Sequence, residues 1–184
     1  CGQGGMILCK NEIEFQKCYA ITNRGLLPNR EINPFGMIGE NYQLSEIQSV
    51  MALAQLEDLD EFGIRRERAM EFLDDALASI EGVQIFRPFK GTKRRAQMRY
   101  SFMVSEEIRE QCLDFLRQKG LPVLKGYTTS NSEERLQGLF KSQEDFPNSR
   151  LAENSIISVF HPFLLKDEKG LLELVDGIRE FQTL

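Results

Sequence analysis

The chain has 184 residues, 41% of them hydrophobic and 28% charged, with a formal net charge of -5, which is the balance of a soluble globular protein able to bury a core. Charges of both signs are interspersed, which argues against a nucleic-acid surface because phosphate binding needs a clustered basic face; no run approaches the ~18 apolar residues of a membrane span. Cys1, Cys9, Cys18 and Cys112 form neither a CxxC pair nor a dense framework, so no metal site or disulfide scaffold is expected, and a reducing, cytoplasmic setting follows.

The chain opens on Cys1-Gly2-Gln3-Gly4-Gly5 without an initiator Met, which reads as a fragment or a processed chain. Met6 to Cys9 is a short apolar run that suits a buried strand. Asn11 ahead of Glu12 and Glu14 is an N-cap with acids in the first turn. The helix it starts is expected to reach about Asn23, with Phe15, Cys18, Tyr19 and Ile21 or Thr22 near one face, and Gly25 placed to end it. Leu26 to Tyr42 is a loop rich in Gly, Pro and Asn, and at about 17 residues it has the length that usually signals function or disorder.

Ser45-Glu46-Ile47-Gln48 is a capping box. Apolar residues then recur at Ile47, Val50, Met51, Ala54, Leu56 and Leu59, and again at Phe62, Ala69, Phe72, Leu73, Ala76, Leu77 and Ile80, before Gly82. A single helix of roughly 35 residues at ~1.5 Å per residue would outreach one domain and bridge two bodies; Gly63 is where it would bend or divide. Beyond Gly82, strands are expected at Val83–Phe86, Met98–Val104 and Ile156–Phe160, and a short apolar run, Leu121–Leu124, follows Gly120. They alternate with helices at Ile108–Lys119 and Ser149–Asn154 and a last one capped by Asp167 and ending at Phe181. A loop with a short helical turn is expected over Ser130–Lys141. This is the pattern of a small α/β layer.

By themselves the residues support little chemistry. His161 is the sole histidine, so a histidine triad has one place to form, and no GxSxG accompanies it; beside Pro162 it reads as a packing or hydrogen-bonding residue. The basic run Lys90 to Arg99 (KGTKRRAQMR) reads as a solvated loop, and Gly2-Gln3-Gly4-Gly5 as either an anion cradle or a tight turn.

Two stretches add more. Gly2-Gln3-Gly4-Gly5-Met6-Ile7-Leu8 resembles a G-E/Q-G-G-M/A strand entry. Gly39-Glu40-Asn41-Tyr42-Gln43-Leu44-Ser45-Glu46-Ile47-Gln48, followed by Ala54-Gln55-Leu56-Glu57-Asp58-Leu59, is similar to G-x-N-Y-R-[ML]-[ST]-E-[IF]-Q … [AG]-Q-L-x-x-L. Both are signatures of the DegT/DnrJ/StrS family of sugar aminotransferases that use pyridoxal phosphate. Asn23-Arg24-Gly25, Ile80-Glu81-Gly82-Val83, Tyr100-Ser101-Phe102 and the segment from Phe146-Pro147 to Leu165 resemble further family segments, so the likeness spans nearly the whole chain.

The resemblance implies the α/β fold of the type I pyridoxal-phosphate-dependent transferases: the tail of the large cofactor-binding domain over 1–44, a long connecting helix over 45–81, and the small C-terminal α/β domain over 82–184. It implies a homodimer with shared active sites, a keto-sugar (often nucleotide-linked) or keto-cyclitol substrate, and glutamate or glutamine as amino donor. The Schiff-base lysine of the family would lie upstream of Gly2. No lysine here matches it, so this chain alone is expected not to transaminate. Asn41 matches the residue that reaches the cofactor phosphate of the partner subunit. Gln43 stands where the family has Arg, which leaves the substrate class open. Tyr127 resembles a substrate-side tyrosine, and His161 with Leu164-Leu165 resembles an H-x-x-L-L of the branch acting on keto-cyclitols. The rival readings are a non-catalytic dimerisation or binding fragment, half of a split enzyme, or a degenerate member used as a regulator.

Overall fold

In the computed structural model, which describes residues 2–94, 97–128 and 146–183, Asn11 caps the first helix, α1 (Glu12–Thr22), its side-chain oxygen accepting the Glu14 N–H at 2.9 Å. Ser45 starts α2 (Glu46–Glu57) through the expected reciprocal pair, the Gln48 N–H donating to Ser45 Oγ at 3.3 Å and the Ser45 N–H to Gln48 Oε1 at 3.1 Å. These helices belong to the first of two units, Cys1–Leu59 and Asp60–Leu184.

The first unit differs from expectation at its start. Met6–Cys9 forms no strand, and Met6, Ile7 and Leu8 are 72%, 65% and 88% exposed. A strand exists through the hydrogen bonds of a neighbour, and no other strand is found among the described residues of this unit. The apolar face of α1 is likewise largely open: Ala20 is its one buried residue.

The single helix expected over 45–81 is two. α2 ends at Glu57, Asp58 intervenes, and α3 runs Leu59–Ala78. The break falls at Asp58 and not at Gly63, which is buried within α3. Charge explains the position: Glu57 and Asp58 put carboxylates at a helix C-terminus, where the macrodipole disfavours them, while Asp60 and Glu61 occupy the first turn of α3, where it favours them.

The second unit is built around a sheet ordered β1-β2-β4-β3, with β1 at Gln84–Ile85, β2 at Arg99–Met103, β3 at Val123–Lys125 and β4 at Ile156–Phe160; every neighbouring pair is antiparallel. Between the strands lie α4 (Arg109–Gln118) and α5 (Pro147–Ser155), and after them a 3-10 turn at Phe163–Leu165 and α6 (Glu168–Phe181), which Asp167 caps. Alternation along β2 and β4 buries Tyr100, Phe102, Ile157 and Val159. These join Ala69, Met70, Leu73 and Leu77 of α3, Cys112, Leu113 and Leu116 of α4, and Leu171, Leu174, Val175 and Ile178 of α6 in one core. Gly177 sets the approach of α6 to α4, because a Cβ there would stand 2.9 Å from the Leu116 side chain. Among the described residues no helix is long and apolar enough to cross a membrane. The turn expected over Ser130–Lys141 lies outside the described residues.

A buried charged group sits beside this core. Asp74 Oδ2 accepts from Arg94 Nη2 at 2.8 Å and Asp74 Oδ1 from the Tyr100 hydroxyl at 3.1 Å, with the Asp74 and Arg94 side chains 4% and 9% exposed. Burial first, and the Asp74 charge second, hold the Tyr100 phenol far above its ordinary value, so it remains a donor. The reading of Lys90–Arg99 as a solvated loop is thereby corrected at Arg94: apolar spacing reports core side chains but not the partner that lets a charge be buried.

Candidate functional site

Asn41 and Gln43 lie on the segment joining α1 to α2. The last carbonyls of a helix lack intrahelical donors, and here that segment supplies them. The Glu40 N–H donates to the Ile21 carbonyl and the Tyr42 N–H to that of Thr22, while the Arg24 N–H returns to the Glu40 carbonyl, each at 3.0 Å. Asn23 and Asn41 are thus opposed in an isolated antiparallel bridge. The chain turns out of α1 with Arg24 at φ 56° and Gly25 at φ 78°. Gly25 ends the helix as expected, with a non-glycine residue sharing the left-handed conformation.

Gly39 makes the close contact possible. A Cβ there would lie 2.1 Å from the Ala20 carbonyl oxygen and 2.7 Å from that of Ile21. The rest of the loop is organised by Asn33, which is 6% exposed. Its amide donates to the Gly25 and Met37 carbonyls at 2.7 and 2.9 Å, and its oxygen accepts from the Phe35 and Met37 N–H groups at 3.2 and 3.1 Å. Asn33 satisfies backbone that a loop of this length would otherwise leave unpaired. Sequence reasoning missed it, because an Asn before Pro in a polar loop looks like any turn residue.

The backbone at Asn41 is therefore held from the α1 side and from the Ser45 cap, while Asn41 and Gln43 are both exposed. Nothing among the described residues hydrogen-bonds either amide side chain. Such an amide can donate to an oxyanion. Tyr42 between them donates its hydroxyl to Glu40 Oε2 at 3.2 Å, and that hydrogen bond raises the phenol's pKa.

Tyr127 and His161 follow the two antiparallel strands β3 and β4, so their backbones leave the second unit's sheet at opposite ends. Tyr127 follows β3 and is 70% exposed. His161 follows β4, and its backbone N–H donates to the Met98 carbonyl at 2.9 Å. His161 Nδ1 is buried and has no hydrogen-bond partner among the described residues. Burial first, and the Arg66 guanidinium second, lower its pKa, so the neutral imidazole is favoured near pH 7.

Arg99, where the expected solvated loop and the expected strand overlap, stands at the His161 end of the sheet and meets the Tyr127 ring through its side chain. Arg99 pairs with Phe160 across β2 and β4. Its Cζ lies 4.6 Å from the Phe160 ring centroid and 4.3 Å from that of Tyr127. The available signal was the alternation of Met98–Val104, which puts Arg99 on the same face as Ser101 and opposite to Tyr100.

Known proteins place this architecture. The family model of the DegT/DnrJ/EryC1/StrS aminotransferases matches residues 1–170. GDP-perosamine synthase of Caulobacter vibrioides is 34% identical over 87 residues, covering 47% of this chain and 23% of that protein. L-glutamine:scyllo-inosose aminotransferase of Streptomyces griseus is 25% identical, covering 98% of this chain and 51% of that protein. Among solved structures, 3-amino-5-hydroxybenzoic acid synthase shares the fold with a TM-score of 0.76 at 22% identity over 95% of this chain and 48% of its own. PseC of Helicobacter pylori, an aminotransferase involved in the biosynthesis of pseudoaminic acid, does so with a TM-score of 0.78 at 17% identity over 95% and 47%. Others in this group carry the cofactor, NtdA of Bacillus subtilis as its PMP form and Spr1654 of Streptococcus pneumoniae as its PLP form. The chain spans about half the length or less of the curated relatives it matches. With the family model matching residues 1–170, the chain belongs to the DegT/DnrJ/EryC1/StrS aminotransferase family.

Proposed function

We propose that this chain is the C-terminal part of a pyridoxal-phosphate-dependent aminotransferase that converts a keto-sugar, often nucleotide-linked, or a keto-cyclitol into an amino sugar, with glutamate or glutamine as donor. The observation that carries the reading is the Gly39–Gln43 segment, whose backbone is tied to the α1 C-terminus while the Asn41 amide is exposed and unpaired among the described residues. That amide suits a phosphate oxygen, which accepts from neutral donors without a second charge being buried. Bound pyridoxal phosphate supplies the electron sink for the carbanion formed when the substrate Cα loses its proton. Asn41 holds the phosphate, and Gln43, a neutral amide in place of a guanidinium, hydrogen-bonds substrate without charge assistance. Tyr127 and His161 contact substrate from the small domain. The lysine that carries the cofactor is supplied from outside this chain, as none of the lysines here stands at its place in the family motif, and this chain alone does not transaminate.

The same proposal assigns residues 1–44 to the large domain, 45–81 to the connection and 82–184 to the small domain; the observed boundary at Leu59 falls inside the connection. It includes a cytoplasmic homodimer with shared sites. Support comes from α2, none of whose residues is buried, with Ile47, Val50 and Leu53 at 76%, 66% and 62% exposure.

The test is to load the complete protein with pyridoxal phosphate and supply glutamate or glutamine with a panel of nucleotide-linked keto-sugars and keto-cyclitols. Donor-dependent formation of an amino sugar is expected; none from any acceptor with either donor would refute the reading. The bare α2 also favours a second one, a dimerisation fragment or half of a split enzyme. Activity restored by mixing this chain with a separately made N-terminal half would support it, and failure to associate at micromolar concentration would exclude it.

A further inference from the structure

We propose that Arg99, held between Tyr127 and Phe160, is a binding site for an oxyanion, carboxylate or phosphate, of a small-molecule ligand. The site follows from the register of the sheet. Arg99 and Phe160 are direct cross-strand partners, so their side chains leave the same face side by side. Tyr127, beyond the end of β3, closes the arrangement, and the guanidinium carbon lies 4.3 and 4.6 Å from the two ring centroids.

Most arginines of the second unit have an acceptor and Arg99 has none among the described residues; Arg66, whose Nε is likewise buried without a partner, has one ring, Phe62, at 5.9 Å, where Arg99 has two at closer range. Arg94 pairs with Asp74, Arg87 with Asp75, Arg117 with Asp114 and Arg179 with Asp176, while Arg109 donates to the Asn154 and Glu153 carbonyls. Arg65 donates to the Leu165 carbonyl. Among the described residues Arg99 has no carboxylate or carbonyl partner, and its Nε is buried without one. Two cation–π contacts stabilise the charge and fix the plane of the fork, but they satisfy none of its N–H groups.

The chemistry of the ligand follows from that geometry. With aromatic rings at the guanidinium, its donors are offered at the edge, the orientation that meets two oxygens of one carboxylate or phosphate. The fixed plane lowers the entropy lost on binding. On the same face, the next cross-strand pair, Ser101 and Ser158, satisfy each other through hydroxyls 2.8 Å apart, with Ser158 buried, so neither serves as an acceptor for the Arg99 fork. If the chain is the aminotransferase part proposed above, the anion is the carboxylate of the amino donor or the phosphate of a nucleotide-linked sugar. The assignment of the site does not depend on which.

The experiment uses the full chain, labelled with ¹⁵N, and follows the arginine Nε–H resonances and backbone amides. L-glutamate and guanosine diphosphate are titrated separately against sodium chloride at matched ionic strength. A saturable shift of the Arg99 Nε–H and of the Tyr127 and Phe160 amides is expected with at least one probe; glutamate alone identifies a carboxylate site and the diphosphate alone a phosphate site. Arg99→Gln should weaken that binding by about tenfold or more, the scale of losing charge-assisted hydrogen bonds. Arg99→Lys should not restore it, because an ammonium lacks the fork. Tyr127→Leu, at a largely exposed ring, tests the clamp in a chain whose core is untouched, and should also weaken binding. Shifts no larger than those from chloride, or affinities unchanged in Arg99→Gln or Tyr127→Leu, would show a purely structural stack and overturn the proposal. Because this readout requires no amino transfer, a failed transaminase assay and a failed titration are separate results.

Discussion

Replacing Asp74 with Leu should destabilise the second unit more than any substitution of a surface charge. The carboxylate is 4% exposed and bonds Arg94 at 2.8 Å and Tyr100 at 3.1 Å. Removing it leaves a guanidinium that is 9% exposed without its counter-charge, and a buried hydroxyl without its acceptor. Breaking one half of a buried pair costs about 3–5 kcal/mol, a large share of the roughly 5–15 kcal/mol that holds a domain folded. With a urea slope of ~2 kcal/mol per molar, a loss of ~4 kcal/mol lowers the midpoint by about 2 M. The assay is urea unfolding followed through the amide resonances of Phe102 and Ile157, which lie in the core of this unit alone. The double variant Asp74→Leu, Arg94→Met should recover at least ~2 kcal/mol, since exchanging both partners for apolar residues leaves no stranded charge. A loss below ~1 kcal/mol in Asp74→Leu, or a double variant no more stable than the single one, would refute the reasoning.

Gly39→Ala should tear the Asn41 segment from the α1 C-terminus, because the new methyl would lie 2.1 Å from the Ala20 carbonyl oxygen; amide exchange at Glu40 and Tyr42 should quicken at least tenfold, and unchanged protection would show that the contact yields without cost. The His161 pKa is held below 6.5 by burial and by Arg66, so the folded chain binds that proton less readily than the unfolded one. Its contribution to stability is therefore present above pH 6.5 and lost as pH falls through the folded value. Stability should decline more steeply with acid in the wild type than in His161→Gln over that window, and parallel curves would contradict the assignment. Burial pushes the Cys112 thiol up to about 11. At pH 8 it should resist a thiol-directed reagent in the native chain and react in urea, whereas rapid native labelling would mean that the α4 face opens.

Local signals carried far in this chain. Asn11, Ser45 and Asp167 each cap the helix they were expected to cap, because a side-chain oxygen reaching the N–H two or three residues ahead is a matter of a few neighbouring residues. The strand at Arg99–Met103 was legible for a similar reason, as alternation of apolar and polar residues is itself the pattern of a half-buried sheet, and Ile156–Phe160 was legible as a short apolar run of strand length. The Gly39–Gln48 signature placed Asn41 on a loop ahead of a capped helix without any coordinates.

What the sequence could not determine depends on residues far apart along the chain. Met6–Cys9 has the composition of a strand, but strand formation needs a partner that composition does not describe. The division at Asp58 follows from opposing effects of carboxylates on two helix ends, and an apolar repeat running through both conceals it. Arg94 and Arg99 sat in one basic run that looked solvated, yet one is buried against Asp74 and the other lies between Tyr127 and Phe160. Identity and local order were written in short-range pattern, since caps, turns and periodicities act over a few residues. The fate of each charge was decided by tertiary structure, because burying a guanidinium is favourable only where the fold brings an acceptor or an aromatic face to meet it.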